Sequence, residues 1–311
     1  MNTVDFSSFE KAGHAVLSYL QQHFGFDLWM ITRTEGNDWI VLQATENNYG
    51  VSAGQVFGWL DSFCSEMVKG NGPCIAPFVE EVPLYAAAPI AQHIDIQAYI
   101  GQPLTYADGS LFGTLCAIHP SSQPKNITQD QPLLELMGTL LSTILQAELK
   151  SNVHIRRTER LEAEVLTDEL THLYNRRGWN RLLEAEEERC RRHGHPAAVL
   201  VIDLNHLKFV NDNYGHAAGD RLIECAARAL SKAARSNDVV ARLGGDEFGI
   251  LCVECNEQGV EQLIKRIDTL FAEENIKGAI GVAQREPATG LQQAWLIADQ
   301  RMYAHKRTQH Q

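Results

Sequence analysis

The chain has 311 residues, 27 basic and 39 acidic side chains, a net charge of −12 and seven cysteines in no framework spacing. That length suits two domains of ordinary size, each able to bury its own core, and an odd cysteine count fits a reducing compartment. Residues 1–150 hold 5 basic and 15 acidic side chains, net −10, and residues 151–311 hold 22 and 24, net −2, so the first half repels phosphate backbones and no nucleic-acid partner is expected. No apolar run approaches the roughly 18 residues of a membrane span, and Met1–Glu10 lack the basic-then-apolar order of a signal peptide. A soluble cytoplasmic protein without membrane insertion is expected.

In chain order, Phe9, Ala12, Val16, Leu17 and Leu20 recur at helical spacing, which predicts an amphipathic helix from Ser8 to about His23. Phe26–Thr32 and Trp39–Ala44 read as strands around a turn-rich stretch, and Trp59, Phe63, Met67 and Val68 mark a helix that Gly70-Asn71-Gly72-Pro73 ends. Ala98–Leu104, the turn Asp108-Gly109 and Leu111–Ile118 form a further hairpin. This order, with Ala98-Tyr99-Ile100-Gly101-Gln102-Pro103-Leu104 and Leu111-Phe112-Gly113-Thr114-Leu115-Cys116, resembles a GAF domain over roughly residues 5–147. The resemblance implies an antiparallel sheet with flanking helices and a small-molecule or protein signal of unknown identity. No cysteine there is followed directly by His, so a covalent bilin is not expected. His93, His119, Trp29, Trp59 and Phe78 are pocket candidates, though each also suits core or surface.

Leu133, Leu136, Met137, Leu140, Leu141, Ile144 and Leu145 give a helix face over Leu133–Leu149, and Lys150–Glu164 turns polar. That polar stretch is either a solvated linker helix or a signalling helix that pairs with its twin. The expected boundaries are therefore 1–147 for the sensory domain, 148–166 for the linker and 167–311 for the second domain.

Past Thr167, Trp179, Leu182 and Leu183 mark a helix with Glu187–Arg191 and Glu188–Arg192 at i, i+4 on its outer face. Val199–Ile202 is a buried-strand run that Asp203 ends. Val239–Ala241 and Phe248–Val253 then read as two strands joined at Gly244-Gly245, with Asp246 and Glu247 at the tip. Such a turn taken alone is either an exposed hairpin with solvated acids or a magnesium-phosphate site, since glycine lets a backbone approach a ligand and acids reach hard cations. Asp203 at a strand end adds a third carboxylate, and such a cluster repels itself unless a divalent ion neutralises it. Asp220, taken alone, reads as an N-cap for a helix bearing Leu222, Ala226, Leu230 and Ala233. Cys252 and Cys255 form a lone C-x-x-C that suggests neither zinc nor redox function.

Asp203, Lys208, Asn211, Tyr214-Gly215-His216, Gly219-Asp220 and Gly244-Gly245-Asp246-Glu247-Phe248 resemble the GGDEF domain of diguanylate cyclases. Asp168-Glu169-Leu170-Thr171-His172-Leu173-Tyr174-Asn175-Arg176-Arg177 is similar to that family's opening motif, and Ala298-Asp299, Met302-Tyr303-Ala304 and Lys306 to its closing helix, over about 165–307. The resemblance implies an α+β chain of two domains, the second with a nucleotide-cyclase-like central sheet surrounded by helices. It further implies a homodimer that joins two GTP into cyclic di-GMP and two pyrophosphates. Asp203, the Leu204 carbonyl, Asp246 and Glu247 would hold Mg²⁺, two per site, with Mn²⁺ as a substitute, and Asp203, Asp246 and Glu247 would serve catalysis. Asn211 and Asp220 would read guanine, and Lys208, His216, Gly244, Gly245 and Lys306 would contact the nucleotide. Arg235 and Asp238, an R-x-x-D that begins nine residues before Gly244, match the family's inhibitory product site. Asn205 and Leu207 replace a usual acid and Phe, and Gln309 and His310 a usual Gly and Arg, which bears on one phosphate contact. The alternative is a catalytically weak or inactive receptor that binds cyclic di-GMP through Arg235 and Asp238.

Overall fold

The structure of the protein, a computed structural model, describes residues 5–45, 48–163 and 166–309. The chain divides into two compact units, Met1–His154 with Arg192–Gly194, and Ile155–Arg191 with His195–Gln311.

In the first unit, helix α1 (Phe9–Phe24) starts where the Ser8 hydroxyl accepts from the Lys11 N–H and ends at Gly25, whose φ of +69° suits a residue without Cβ. Strands β1 (Leu28–Glu35), β2 (Asp38–Ala44), β3 (Val56–Gly58), β4 (Ile75–Ala76), β5 (Ala98–Thr105) and β6 (Leu111–His119) form one antiparallel sheet in the order β3-β2-β1-β6-β5-β4. Alternate residues of β1 serve opposite faces: Trp29 and Ile31 pack with Phe9, Leu17 and Leu20 of α1, while Leu28 and Met30 pack with Phe63 and Met67. Both faces are covered at the centre of the sheet, so β1, β2 and β6 are buried almost throughout, while edge strand β3 is exposed.

The expected helix at Trp59 is divided. Trp59–Asp61 form a 3-10 turn, and the Ser62 hydroxyl accepts the Ser65 N–H at 3.1 Å, which starts α2 (Phe63–Val68) afresh. The loop-rich middle holds two short helices, α3 (Pro83–Ala86) and α4 (Pro89–His93), each opened by a proline in its first turn. Of the pocket candidates, His93 lines a cavity of about 230 Å³ with Leu28, Trp39, Phe57 and Asp61, whereas Trp29 and Trp59 are core. Helix α5 (Gln131–Ala163) runs 33 residues without a break. Leu134, Leu141 and Leu145 are its buried anchors, while Leu136 and Leu140 face solvent, so the inward stripe is narrower than the apolar pattern suggested.

In the second unit, α6 (Arg176–His193) is capped by Asn175, whose side-chain oxygen accepts from Arg177 and Gly178 N–H at 2.9 and 3.1 Å. Trp179, Leu182 and Leu183 are buried as expected. On its outer face Glu187 accepts the Arg285 guanidinium at 2.6 and 2.9 Å, and Glu188 meets Arg191 at i, i+3. A guanidinium presented squarely to a carboxylate from another element makes a strong two-pronged contact. There follow β7 (Ala198–Leu204), α7 (Leu207–Tyr214), α8 (His216–Ala233), β8 (Val239–Gly244), β9 (Glu247–Cys252), α9 (Glu257–Glu273), β10 (Gly278–Gln284) and α10 (Gly290–Gln309). The sheet order is β10-β7-β9-β8, all antiparallel. Ala198, Leu200, Ile202 and Leu204 face the core shared with Ala226 and Leu230 of α8 and Leu263 and Ile267 of α9. Val199 and Val201 face Trp179 of α6 and Ala298 and Met302 of α10.

Helix α10 lies hard against β10. His305 Nδ1 accepts the Ile280 N–H at 3.1 Å, and Arg301 donates to the Val282 carbonyl at 2.7 Å. A Cβ on Gly281 would sit 1.9 Å from the Ala298 carbonyl oxygen and 2.2 Å from the Met302 nitrogen, backbone that has nowhere to go. On the other side, Tyr174 runs along β8, accepting the Arg242 N–H at 2.8 Å and donating to the Val240 carbonyl at 3.3 Å. Gly281→Ala should therefore lower the midpoint of chemical denaturation of this unit by an amount equivalent to roughly 2 kcal/mol or more. Fluorescence of Trp179 and Trp295, followed against urea, measures it.

Candidate active site

The strand end and the hairpin meet. Asp203 on β7 is the direct cross-strand partner of Glu247 on β9, and the Leu204 N–H donates to the Asp246 carbonyl at 3.0 Å. The turn is one residue later than the sequence suggests: Gly244 closes β8, and Gly245-Asp246 are the two loop residues, Gly245 at φ +43°. A bulge between Arg242 and Gly244 produces this shift by putting Leu243 out of register. A Cβ on either glycine would meet nothing within 4 Å, so space above the turn is open to a ligand.

Arg242, from the strand that enters the turn, braces it. Its Nε and one terminal nitrogen donate to the Gly245 carbonyl at 3.0 and 2.8 Å, and the other terminal nitrogen reaches the Asp168 carboxylate at 3.1 and 3.2 Å. Burial acts to raise the Asp168 carboxyl, but the Thr171 hydroxyl and N–H and the Arg242 guanidinium outweigh it and hold the group below the usual carboxylate range. The opening motif thus fixes the turn across 74 residues of sequence. Composition and periodicity carry no signal for such a contact.

The acids repel. Burial pushes the Glu247 carboxyl up, and the neighbouring charges of Asp203, Asp299 and Asp246 push the same way, against Arg176. Asp203, 6% exposed, is partly neutralised by Lys306 of α10, whose ammonium donates to it at 2.5 Å. Asp299 and Arg176 were legible as parts of the closing and opening motifs, but nothing local tied either to Glu247. Among the described residues, no three acidic, His or Cys side chains converge as a ready metal cage. Mg²⁺ asks for less, one or two carboxylates with waters and substrate phosphates. The donor set fits: two carboxylates on opposed strand positions, an ammonium held at one of them and a neighbouring acid in the turn are hard oxygen chemistry that lacks compensating positive charge.

The other expected site residues lie on α7, α8 and the R-x-x-D turn. Lys208 on α7 and His216, the first residue of α8, are exposed. A Cβ on buried Gly219 would sit 2.0 Å from the Asn211 side-chain oxygen, so this glycine lets α7 seat Asn211 against α8 one residue before Asp220. Asp220 is not an N-cap: α8 begins at His216 after Gly215, whose φ of +82° turns the chain, and Asp220 is an exposed residue in the helix's second turn. Arg235 and Asp238 close a turn in which Asp238 N–H donates to the Arg235 carbonyl at 3.0 Å. The Asp238 carboxylate accepts from the N–H groups of Arg235 at 2.8 Å and Val253 at 3.2 Å. His310 lies outside the described residues, as does the side chain of Gln309.

A carboxyl raised by folding contributes stability below its unfolded value, about 4.3, and loses it as pH rises through the folded value. Ionised Glu247 therefore destabilises the metal-free unit at neutral pH. Glu247→Gln in EDTA should raise Tm by roughly 1–3 °C at pH 7.5, with the gain vanishing near pH 4. Magnesium should stabilise the parent and not the variant. A Tm that is lower in the variant at every pH would contradict the assignment.

Residues 165–311 match the family model for the diguanylate cyclase GGDEF domain, and residues 8–145 match that for the GAF domain. Diguanylate cyclase DgcP of Escherichia coli (strain K12) is 28% identical over 260 residues, 80% of this chain and 75% of that protein. Probable diguanylate cyclase DgcC of the same strain is 33% identical over 157 residues, 48% of this chain and 42% of that protein. Among solved structures, diguanylate cyclase SiaD of Pseudomonas aeruginosa, in complex with its activator SiaC, aligns at 24% identity and a TM-score of 0.46 over 59% of this chain and 74% of that one. In succession, residues 8–145 belong to the GAF family and residues 165–311 to the GGDEF domain family of diguanylate cyclases.

Proposed function

We propose that this chain condenses two GTP into cyclic di-GMP and two pyrophosphates as a homodimer, under the control of its GAF domain and of its product. The observation that carries the reading is the opposed pair Asp203 and Glu247 beside the open Gly245-Asp246 turn. Asp203, the Leu204 carbonyl and Glu247, with Asp246 as a further ligand, are the residues that would hold Mg²⁺ or Mn²⁺. The ion, when bound, supplies Lewis-acid stabilisation of charge on attacking and leaving phosphate oxygens.

The rest falls to the protein. Gly244 and Gly245 let the turn backbone approach the phosphates, and Arg242 keeps the turn in place. Lys306, paired with Asp203, and Lys208 put ammonium groups beside a polyphosphate. His216, at the head of α8, adds a contact from the side where Asn211 and Asp220 read guanine. A carboxylate at Asp220 accepts from the guanine ring N–H and amino group, whereas adenine offers an acceptor at the ring position, which favours GTP. The 3′ oxygen of each GTP forms a bond to the α-phosphorus of the other while the bond to pyrophosphate breaks, and the hydroxyl proton passes to one of the site acids. Each GGDEF domain holds half of the reacting pair, so two copies are needed.

The GAF cavity, with Asp61 and His93 among Trp39, Phe57 and Leu28, suits a small aromatic or apolar signal that carries a polar group. An apolar groove between α1 and α5, lined by Phe6, Tyr19, Met137 and Leu140, supports pairing of two copies. No helix among the described residues is long and apolar enough to cross a membrane. A GTP-consuming activity suits the cytoplasm.

Purified protein with GTP and Mg²⁺ should release pyrophosphate and a cyclic dinucleotide, with a rate per chain that rises with protein concentration. Asp246→Ala should be inactive, and Asp220→Ala should lower kcat/KM for GTP by about 10- to 100-fold. Equal product from parent and Asp246→Ala, or none from either across concentrations, would leave the receptor reading instead.

A further inference from the structure

The polar end of α5 is tied into the second unit by a set of charged contacts that the catalytic reading does not use. Arg156 forks onto the Glu186 carboxylate at 2.9 and 3.2 Å, and its other terminal nitrogen reaches Glu254 at 2.7 Å. Glu186 is 2% exposed and also accepts Arg189 Nε at 2.8 Å, while Arg189 reaches back to Glu159 of α5 at 2.9 Å. One turn further along α5, both terminal nitrogens of Arg160 donate to backbone carbonyls, those of Ser236 and Asn237. These are the two middle residues of the Arg235–Asp238 turn, so the same helix that leaves the sensory unit grips the candidate product site by its backbone.

The chemistry gives this contact a direction. Carbonyls of a four-residue turn that receive a forked guanidinium are held in one arrangement, which reduces what the turn loses on binding a ligand. The guanidinium also adds fixed positive charge beside a turn whose ligand carries two phosphodiester anions. The buried Glu186 with its two arginines sets one position for the helix, because removing any member leaves an uncompensated charge. Docked helix and bound ligand thus favour the same state. By linkage each strengthens the other.

We infer that Arg160, seated by Arg156 on Glu186 and Glu254, couples α5 to the R-x-x-D turn. Cyclic di-GMP bound at Arg235 and Asp238 then holds α5 docked, and a signal that draws α5 away loosens the product. The inference rests on the product-site reading proposed above and adds to it the residues through which helix and product communicate.

Calorimetric titration of the full chain with cyclic di-GMP, together with hydrogen exchange over residues 155–161, tests it. Parent protein binds, Arg235→Ala does not, and Arg160→Ala binds about 5- to 20-fold more weakly, within the usual range of a coupling. Arg160→Lys recovers part of the loss, since a single ammonium replaces a fork. Ligand slows exchange over 155–161 in the parent and leaves it unchanged in Arg160→Ala, while the initial cyclase rate before product accumulates is the same in both. Unaltered or tighter affinity in Arg160→Ala, with normal binding by the parent, overturns the coupling alone. No binding by the parent, or no effect of Arg235→Ala, overturns the product-site reading and the coupling with it.

Discussion

Two carboxylates held opposite each other on adjacent antiparallel strands are an arrangement that a sheet ordinarily avoids, since like charges in direct register destabilise the pair. Here Asp203 and Glu247 occupy such a position because the register of β7 and β9 is dictated elsewhere. Every residue of β7 from Ala198 to Leu204 is buried, with Leu200 and Ile202 on one face and Val199 and Val201 on the other. A slip of one residue would exchange these faces and empty both halves of the core. The apolar rows thus fix the acids, and the repulsion left at the strand ends is what a divalent ion and a polyphosphate can relieve.

The surrounding elements serve that pair from a distance in sequence. Helix α10 sits on β10 closely enough that Gly281 is required, and this proximity brings Lys306 to Asp203 and Asp299 near Glu247. Arg242 ties the turn to Asp168, and Gly219 lets Asn211 settle beside the start of α8. A glycine or an ion pair in each case sets a backbone separation, and the chemistry of the site follows from those separations.

Much of this was legible in the sequence where the signal is local. Local patterns marked α1, the β1-β2 and β5-β6 pairs, β7 and the β8-β9 hairpin. What escaped depended on competition or on distance. Ser62 captured an amide and split the helix expected at Trp59, a bulge at Leu243 moved the hairpin turn by one residue, and Gly215 started α8 early enough to remove Asp220 from its capping role. Pairings such as Lys306 with Asp203 join residues whose nearness only the folded sheet creates. Resemblance to known motifs named those residues but did not supply their partners.

The borders of the second unit's sheet carry one more consequence. On β10, the Ile280 amide and the Val282 carbonyl are already taken by His305 and Arg301, and on β8 the amide of Arg242 and the carbonyl of Val240 are taken by Tyr174. Strand addition from a neighbouring molecule is therefore closed at these positions on both flanks. The encounter of two copies proposed for catalysis would then run through helices and turns rather than through a shared sheet, a geometry that does not extend into a fibre.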